Sequence, residues 1–337
     1  MDLLILAPVG LLPVLIFLVV LVYMDSYKLV GLKTVLAVIA AGGVVTVLSY
    51  FSNAYLMDQF DLDRLTLVRY VAPVSEECLK ALIIVYLFRS HRIGFLVDSA
   101  IMGFAVGAGF GFVENIYYLA RDESAHIGVA IVRGFGTAVM HGGVAAIFAI
   151  ISQTLTERNM KINPVRYLPG LAAAMLLHAG YNYFVLTMPP ILMTLVTLML
   201  LPPILHYVFV KSAQHMHEWL QLDFDADAKL LEQINSGQFA QGKIGRFLHD
   251  LRDKFEGPVV VDMLCYLRLY TELALRAKGV LMMRENGLDA PVGERTREKF
   301  TEMEYLESSI GKTGLLALKP FLHMTRKDLW QLNVLEK

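Results

Sequence analysis

The chain has 337 residues, of which 56% are hydrophobic and 18% charged, with a formal net charge of −1. Soluble domains are less apolar and more charged than this. A charge near zero, with no basic arm and no Lys/Arg cluster interleaved with aromatics, sets aside nucleic acid as a partner.

The apolar residues are unevenly spread. Long apolar runs fill residues 1–210, and from Lys211 the sequence reads as an ordinary soluble one. This predicts an all-α fold of two parts: a polytopic helix bundle in the lipid bilayer (1–210) and a helical cytoplasmic domain (211–337). The first segment has no basic start and no small-x-small cleavage site before Lys28, so it reads as a span and not a leader. Seven segments reach spanning length, at 3–23, 32–52, 70–88, 95–119, 127–152, 167–186 and 190–210, joined by short polar connections. Cys78 and Cys265 lie in different segments and imply no disulfide; Cys78 reads as a small core residue.

Basic loop residues set the orientation. Lys28 and Lys33, Arg89 and Arg92, then Arg158, Lys161 and Arg166, and finally Lys211 fall in alternate connections. The other set holds Arg64 and Arg69, offset by Asp58, Asp61 and Asp63, and then Arg121. This predicts a multi-pass protein of the inner (plasma) membrane, N-terminus outside and C-terminal domain in the cytoplasm.

Several spans carry groups that hydrocarbon disfavours. An ionisable residue at the bilayer centre costs about 2.5 kcal/mol or more, which makes each a functional candidate. The third span carries Glu76, Glu77 and Lys80. Glu76 and Lys80 are four apart, the spacing of an intrahelical ion pair. That pairing leaves the second carboxylate unexplained, and a carboxylate that takes a proton from water is a general base. Either Glu76 or Glu77 fits the role, with Glu77 preferred.

The fourth span is rich in glycine (Gly103, Gly107, Gly109, Gly111), which permits close helix approach. It ends in Glu114 and Asn115, a second acid and a polar neighbour. The fifth carries Arg133, placed to orient a carboxylate or to reach the outer interface, and His141. The sixth carries His178 and, one turn on, Asn182, an imidazole and a carboxamide on one face that can donate to a developing oxyanion. In the orientation above, all of these lie in the outer half of the bilayer or near its centre. A metal site here would draw on His141, His178 and a Glu, as zinc does in catalytic sites.

These motifs, in this order, resemble the PrsW family of intramembrane proteases. The match rests on Ser-Glu-Glu-Cys-Leu-Lys (75–80), Gly-Phe-Gly-Phe-Val-Glu-Asn (109–115), the span with Arg133 and His141, and Leu-His-Ala-Gly-Tyr-Asn (177–182). That family is related to a wider group that includes CAAX-prenyl endopeptidases and bacteriocin-processing proteins. The resemblance implies hydrolysis of a peptide bond in a single-span membrane protein. The implied role is the first cut in an anti-sigma factor, on its extracytoplasmic side. It leaves open whether zinc or a glutamate activates the water.

Two rival readings use the same residues. A proton-coupled transporter also employs intramembrane Glu and His, but it favours inverted repeats, and none is evident. A non-catalytic scaffold would keep the fold without turnover.

Beyond Lys211, helical periodicity predicts helices near 213–235, 244–255, 258–286, 292–308 and 320–335, forming a small domain docked beneath the membrane. The breaks fall at Ser236-Gly237, Gly257-Pro258, Gly287 and Gly311. His215, His217 and Glu218 read as a solvated helix face.

Overall fold

A computed structural model describes residues 3–121, 126–157, 163–288, 293–322, 330–332 and 335. The described residues are helical, with no strand among them. In chain order the helices are α1 (Leu3–Met24), α2 (Leu32–Gln59), α3 (Arg64–Thr66), α4 (Ala72–Arg89), α5 (Leu96–Arg121), α6 (Ile127–Ile131), α7 (Ala138–Thr156), α8 (Leu168–Thr187), α9 (Pro190–Asn235), α10 (Lys243–Leu251), α11 (Gly257–Glu285) and α12 (Glu294–Leu318). The chain divides into two units, Met1–Ala213 and Gln214–Lys337.

In the first unit α5 is the central helix. It packs against α1, α2, α4 and α7, and α8 packs on α4 and α7. The glycines of α5 make that packing close. A Cβ on Gly107 would lie 2.0 Å from the His141 carbonyl oxygen, and one on Gly109 would lie 2.0 Å from that of Ile39. Gly42 of α2 returns the contact against Val106. Without side chains between them, the α5 and α7 backbones touch at the level of His141.

Among the described residues, five helices are by length and composition apolar enough to cross a membrane: Ile5–Met24, Leu32–Gln59, Leu96–Arg121, Ile127–Thr156 and Pro190–Asn235. The third and sixth expected spans, α4 and α8, fall outside this set. They are the two that carry Glu76, Glu77 and Lys80, and His178 and Asn182. The outward faces of the first unit are apolar, with Leu36, Phe51, Leu82, Tyr86, Leu176 and Met199 exposed, as lipid contact requires. Cys78 also faces outward. Its neighbours Glu76 and Glu77 take the inner face of α4, which turns residue 78 toward lipid and corrects the expectation of a core thiol.

Two helix entries are wound as single π turns, Leu67–Val71 ahead of α4 and Val132–Thr137 ahead of α7. The first has a visible cause. The Ala72 N–H bonds the Leu67 carbonyl, five residues back. The next residue, Pro73, has no N–H with which to extend that pattern to Val68.

The last expected span and first tail helix are one helix, α9, which runs for 46 residues with Pro202 and Pro203 inside it. Its composition turns polar beyond Lys211, but no glycine or turn residue interrupts the winding. In the second unit α11 packs on α12. Gly237, Gly287 and Gly311 have φ of 75°, 73° and 68°, the left-handed conformation that ends or breaks helices. α12 continues beyond the expected 308, with Gly311 as its break. His217 bonds Glu285 at 3.0 Å on a half-exposed face. Arg158 and Lys161, used for orientation, lie outside the described residues, as does most of the expected helix 320–335.

Candidate active site

The polar residues of α4, α5, α7 and α8 converge within the first unit. Glu76, Glu77, Lys80, His141 and His178 are all buried. On α4, Lys80 bonds Glu77 Oε1 at 2.7 Å, three residues back, in place of the expected Glu76 partner. The same Lys80 Nζ lies 3.0 Å from His141 Nδ1 and 4.0 Å from the Phe110 ring centre. It therefore joins α4 to α7 over an aromatic face of α5.

Glu77 Oε1 also meets His178 Nδ1 at 2.8 Å. With Glu77 accepting from Nδ1–H, His178 presents the lone pair of Nε2. That nitrogen faces Glu76 Oε2 at 3.9 Å, longer than a hydrogen bond. The two imidazoles stand perpendicular, with ring centres 4.8 Å apart.

Glu76 takes its hydrogen-bond partner from α2. Asn53 donates through Nδ2 to Glu76 Oε1 at 3.1 Å. The Ser75 hydroxyl donates to Asn53 Oδ1 at 2.5 Å. Neither residue stood among the sequence candidates. The second expected connection begins at residue 53, whereas α2 runs on to Gln59.

Glu114 takes the opposite side. Its Oε2 lies 2.9 Å from Arg133 Nη2 and 3.4 Å from His141 Nε2. Arg133 lies 4.0 Å above the Tyr118 ring. Of its two expected roles, orienting a carboxylate is the one this geometry serves. Three carboxyl groups thus share the cluster with two basic side chains, Lys80 and Arg133. The uncompensated negative charge calls for a proton or a bound cation in so dry a place.

The two asparagines act on backbone. Asn115 Nδ2 bonds the Gly10 carbonyl at 2.8 Å and the Arg133 carbonyl at 3.0 Å. Asn182 Nδ2 bonds the Val68 carbonyl at 2.9 Å, the one that Pro73 leaves without a donor. Each amide thereby ties a π turn to another helix. That bond uses one of the two N–H donors of the Asn182 carboxamide.

A metal ion has one fitting donor set among the described residues. Ligand atoms of Glu76, His141 and His178 lie within 4.8 Å of one another. Two imidazoles and a carboxylate suit zinc with an open position. The Glu77 bond to His178 is the outer-shell contact that orients such a ligand. His141 would have to release Lys80 or Glu114, because both of its nitrogens are engaged.

The sequence profile of the PrsW family intramembrane metalloprotease matches residues 30–208. That span contains every side chain of this cluster. No curated protein and no solved structure matches the chain.

Proposed function

The chain belongs to the PrsW family of intramembrane metalloproteases, and from that premise we propose that Glu76 is the carboxylate at which water is activated. The protein is a membrane peptidase. One observation carries the finer reading: Glu76, His141 and His178 bring their donor atoms within 4.8 Å of one another in a buried cluster.

Glu77 holds Lys80 and His178 together through a single oxygen, Oε1. Its work is to hold the His178 ring. Glu76 is anchored by one oxygen and turns the other toward His178 Nε2. It can take a proton from the attacking water and pass that proton to His178 Nε2. His178 donates to an oxyanion only after it has been protonated, so a single proton moving between the two would serve both stages. Glu114 and Arg133 keep His141 in place. Asn182 holds the helix entry before Glu76.

Zinc is the second reading, and the donor set and the family favour it. When bound, zinc supplies a Lewis acid and a water of lowered pKa. Glu76, His141 and His178 would hold it. Glu77 orients a ligand in that reading as well.

For substrate we propose a single-span membrane protein that enters from the bilayer and is cut on its extracytoplasmic side, as an anti-sigma factor would be. The loop charges support this by assigning the cluster to the outer half of the membrane.

The test compares cells carrying wild type, Glu76→Gln and Glu77→Gln, with mass spectrometry of membrane-protein fragments. Fragments that vanish with Glu76→Gln support the reading. Cleavage that persists there and vanishes only with Glu77→Gln reverses the two roles. Proton-coupled flux in liposomes without any lost fragment would favour a transporter. Metal analysis of the purified protein, with and without His178→Ala, separates zinc from glutamate chemistry.

A further inference from the structure

Asn53 and Ser75 have no part in the family motif argument as reactive groups, and nothing in their composition marks them as such. Their geometry is specific nonetheless. Asn53 sits on α2, which contributes no acid or imidazole to the cluster. It reaches across to α4 with its amide between two α4 side chains: Nδ2 on Glu76 Oε1 at 3.1 Å and Oδ1 under the Ser75 hydroxyl at 2.5 Å. The Ser75 hydroxyl also lies 3.0 Å from the Ala72 carbonyl, so its rotor has two local acceptors.

The serine can bias which way the amide points, by placing its proton on Asn53 Oδ1 rather than on the Ala72 carbonyl. A hydroxyl proton on Oδ1 leaves Nδ2 to face the carboxylate. In the opposite orientation, the amide oxygen would face Glu76 and repel it. Without either residue Glu76 Oε1 has no fixed partner, and a carboxylate on a three-bond side chain can swing toward Lys80 four residues on.

We propose that Asn53 and Ser75 form a positioning pair that fixes the Glu76 carboxylate, Asn53 by donating to one oxygen and Ser75 by setting the amide's orientation, so that the other oxygen faces His178. The inference rests on the reading of Glu76 as the water-activating group.

The test uses full-length protein in proteoliposomes. The tagged substrate is the single-span protein whose fragments vanish with Glu76→Gln. Initial rates are followed against substrate density, alongside thermal midpoints in detergent. Asn53→Leu keeps the volume and removes the donor. It should lower kcat by about 10- to 100-fold, the usual loss when a partner of a site residue is removed, with KM within about 2-fold. Ser75→Ala removes one neutral hydrogen bond and should cost about 2- to 10-fold in kcat. Ser75→Thr, which keeps the hydroxyl, should recover most of it. Wild-type kcat in Asn53→Leu, or a loss that scales only with the folded fraction, overturns the proposal while leaving the Glu76 reading intact. Equal rates for Ser75→Ala and Ser75→Thr overturn the part assigned to the serine. A fully active Glu76→Gln removes the underlying reading, and the inference with it.

Discussion

Among the described residues, each unit of this protein buries one lysine almost completely, and the two are held in different ways. Lys80 takes its three contacts from three helices: Glu77 on α4, His141 on α7 and Phe110 on α5. The acids and the aromatic ring described at Lys278 come from one. Asp227 lies at 2.6 Å, Asp223 at 3.9 Å and the Trp219 ring centre at 5.2 Å, all on α9. The acids differ as well. The Glu77 side chain is 2% exposed, while Asp227 and Asp223 are 20% and 41% exposed. Water reaches the acid side of the Lys278 pair, and the adjoining cavity is only about 40 Å³. In the proposed reading, the lysine of the reactive centre is the one whose partners arrive from several helices and whose acid is itself dry. When they come from one helix and remain wet, the pair ties that helix to its neighbour.

The sharpest way to break this comparison is to neutralise both members of each pair. Removing one partner alone would strand a buried charge at a cost of about 3–5 kcal/mol, whereas replacing both is often neutral for stability. Lys80→Met with Glu77→Gln should lower cleavage by about 100-fold or more, on the scale of losing a positioned proton-transfer group, with the protein still folded. Lys278→Met with Asp227→Asn should leave the cleavage rate within about 2-fold. Equal losses in the two double variants, read from fragment yield per folded protein, would end the distinction.

Glycine gives the next contrast. Gly107→Ala would push a methyl into the His141 carbonyl. It should destabilise the first unit by about 1–3 kcal/mol and reduce cleavage, because His141 moves with its backbone. Gly279 of α11 has nothing within 4 Å of an added Cβ. Gly279→Ala should raise stability by up to about 1 kcal/mol through helix propensity alone. Thermal midpoints of the two variants should shift in opposite directions.

The smallest effects are in pH, and they too differ between the units. Tyr266 in the second unit has its phenol pushed up by burial, with the Glu307 carboxylate beside it adding to the shift. The stability this supplies is present below the ordinary phenol value of about 10 and is lost as pH rises through the higher folded one. Alkaline melting of the tail should therefore weaken in Tyr266→Phe. Asp63, in the connection before α3, is held below the usual carboxylate range by the Thr66 hydroxyl and backbone N–H, assisted by the Leu65 N–H. Its contribution is present above the unfolded value and lost as pH falls through the lower folded one. Asp63→Ala should remove a slight acid sensitivity of the first unit, visible in its circular dichroism melt.

Much of the first unit was legible because hydropathy and glycine spacing report directly on lipid and on backbone approach. The apolar segments gave the helices nearly to their ends, and the glycines of α5 gave its central place. The acids and imidazoles stood out because hydrocarbon makes them costly. What escaped was anything ordinary for its surroundings. Asn53 resembles the start of a loop, yet Ala54 to Gln59 contain no glycine or proline, and that was the available signal that the helix continues. Ser75 is unremarkable in composition. The choice of Glu77 for Lys80 depends on where α7 presents His141, which no spacing within α4 reveals. Asn182 has the chemistry for an oxyanion, but the carbonyl it meets is set free by a proline 109 positions away in the chain.

The π turn before α4 has a consequence for chain length. Such a turn holds one residue more than an α-helical path between the same ends would need. Deleting a single residue from Leu67–Val71 would let the segment close as ordinary helix between the same ends. The phase between the α3 corner and Glu76 would survive, and the loss would fall on the carbonyl that Asn182 bonds.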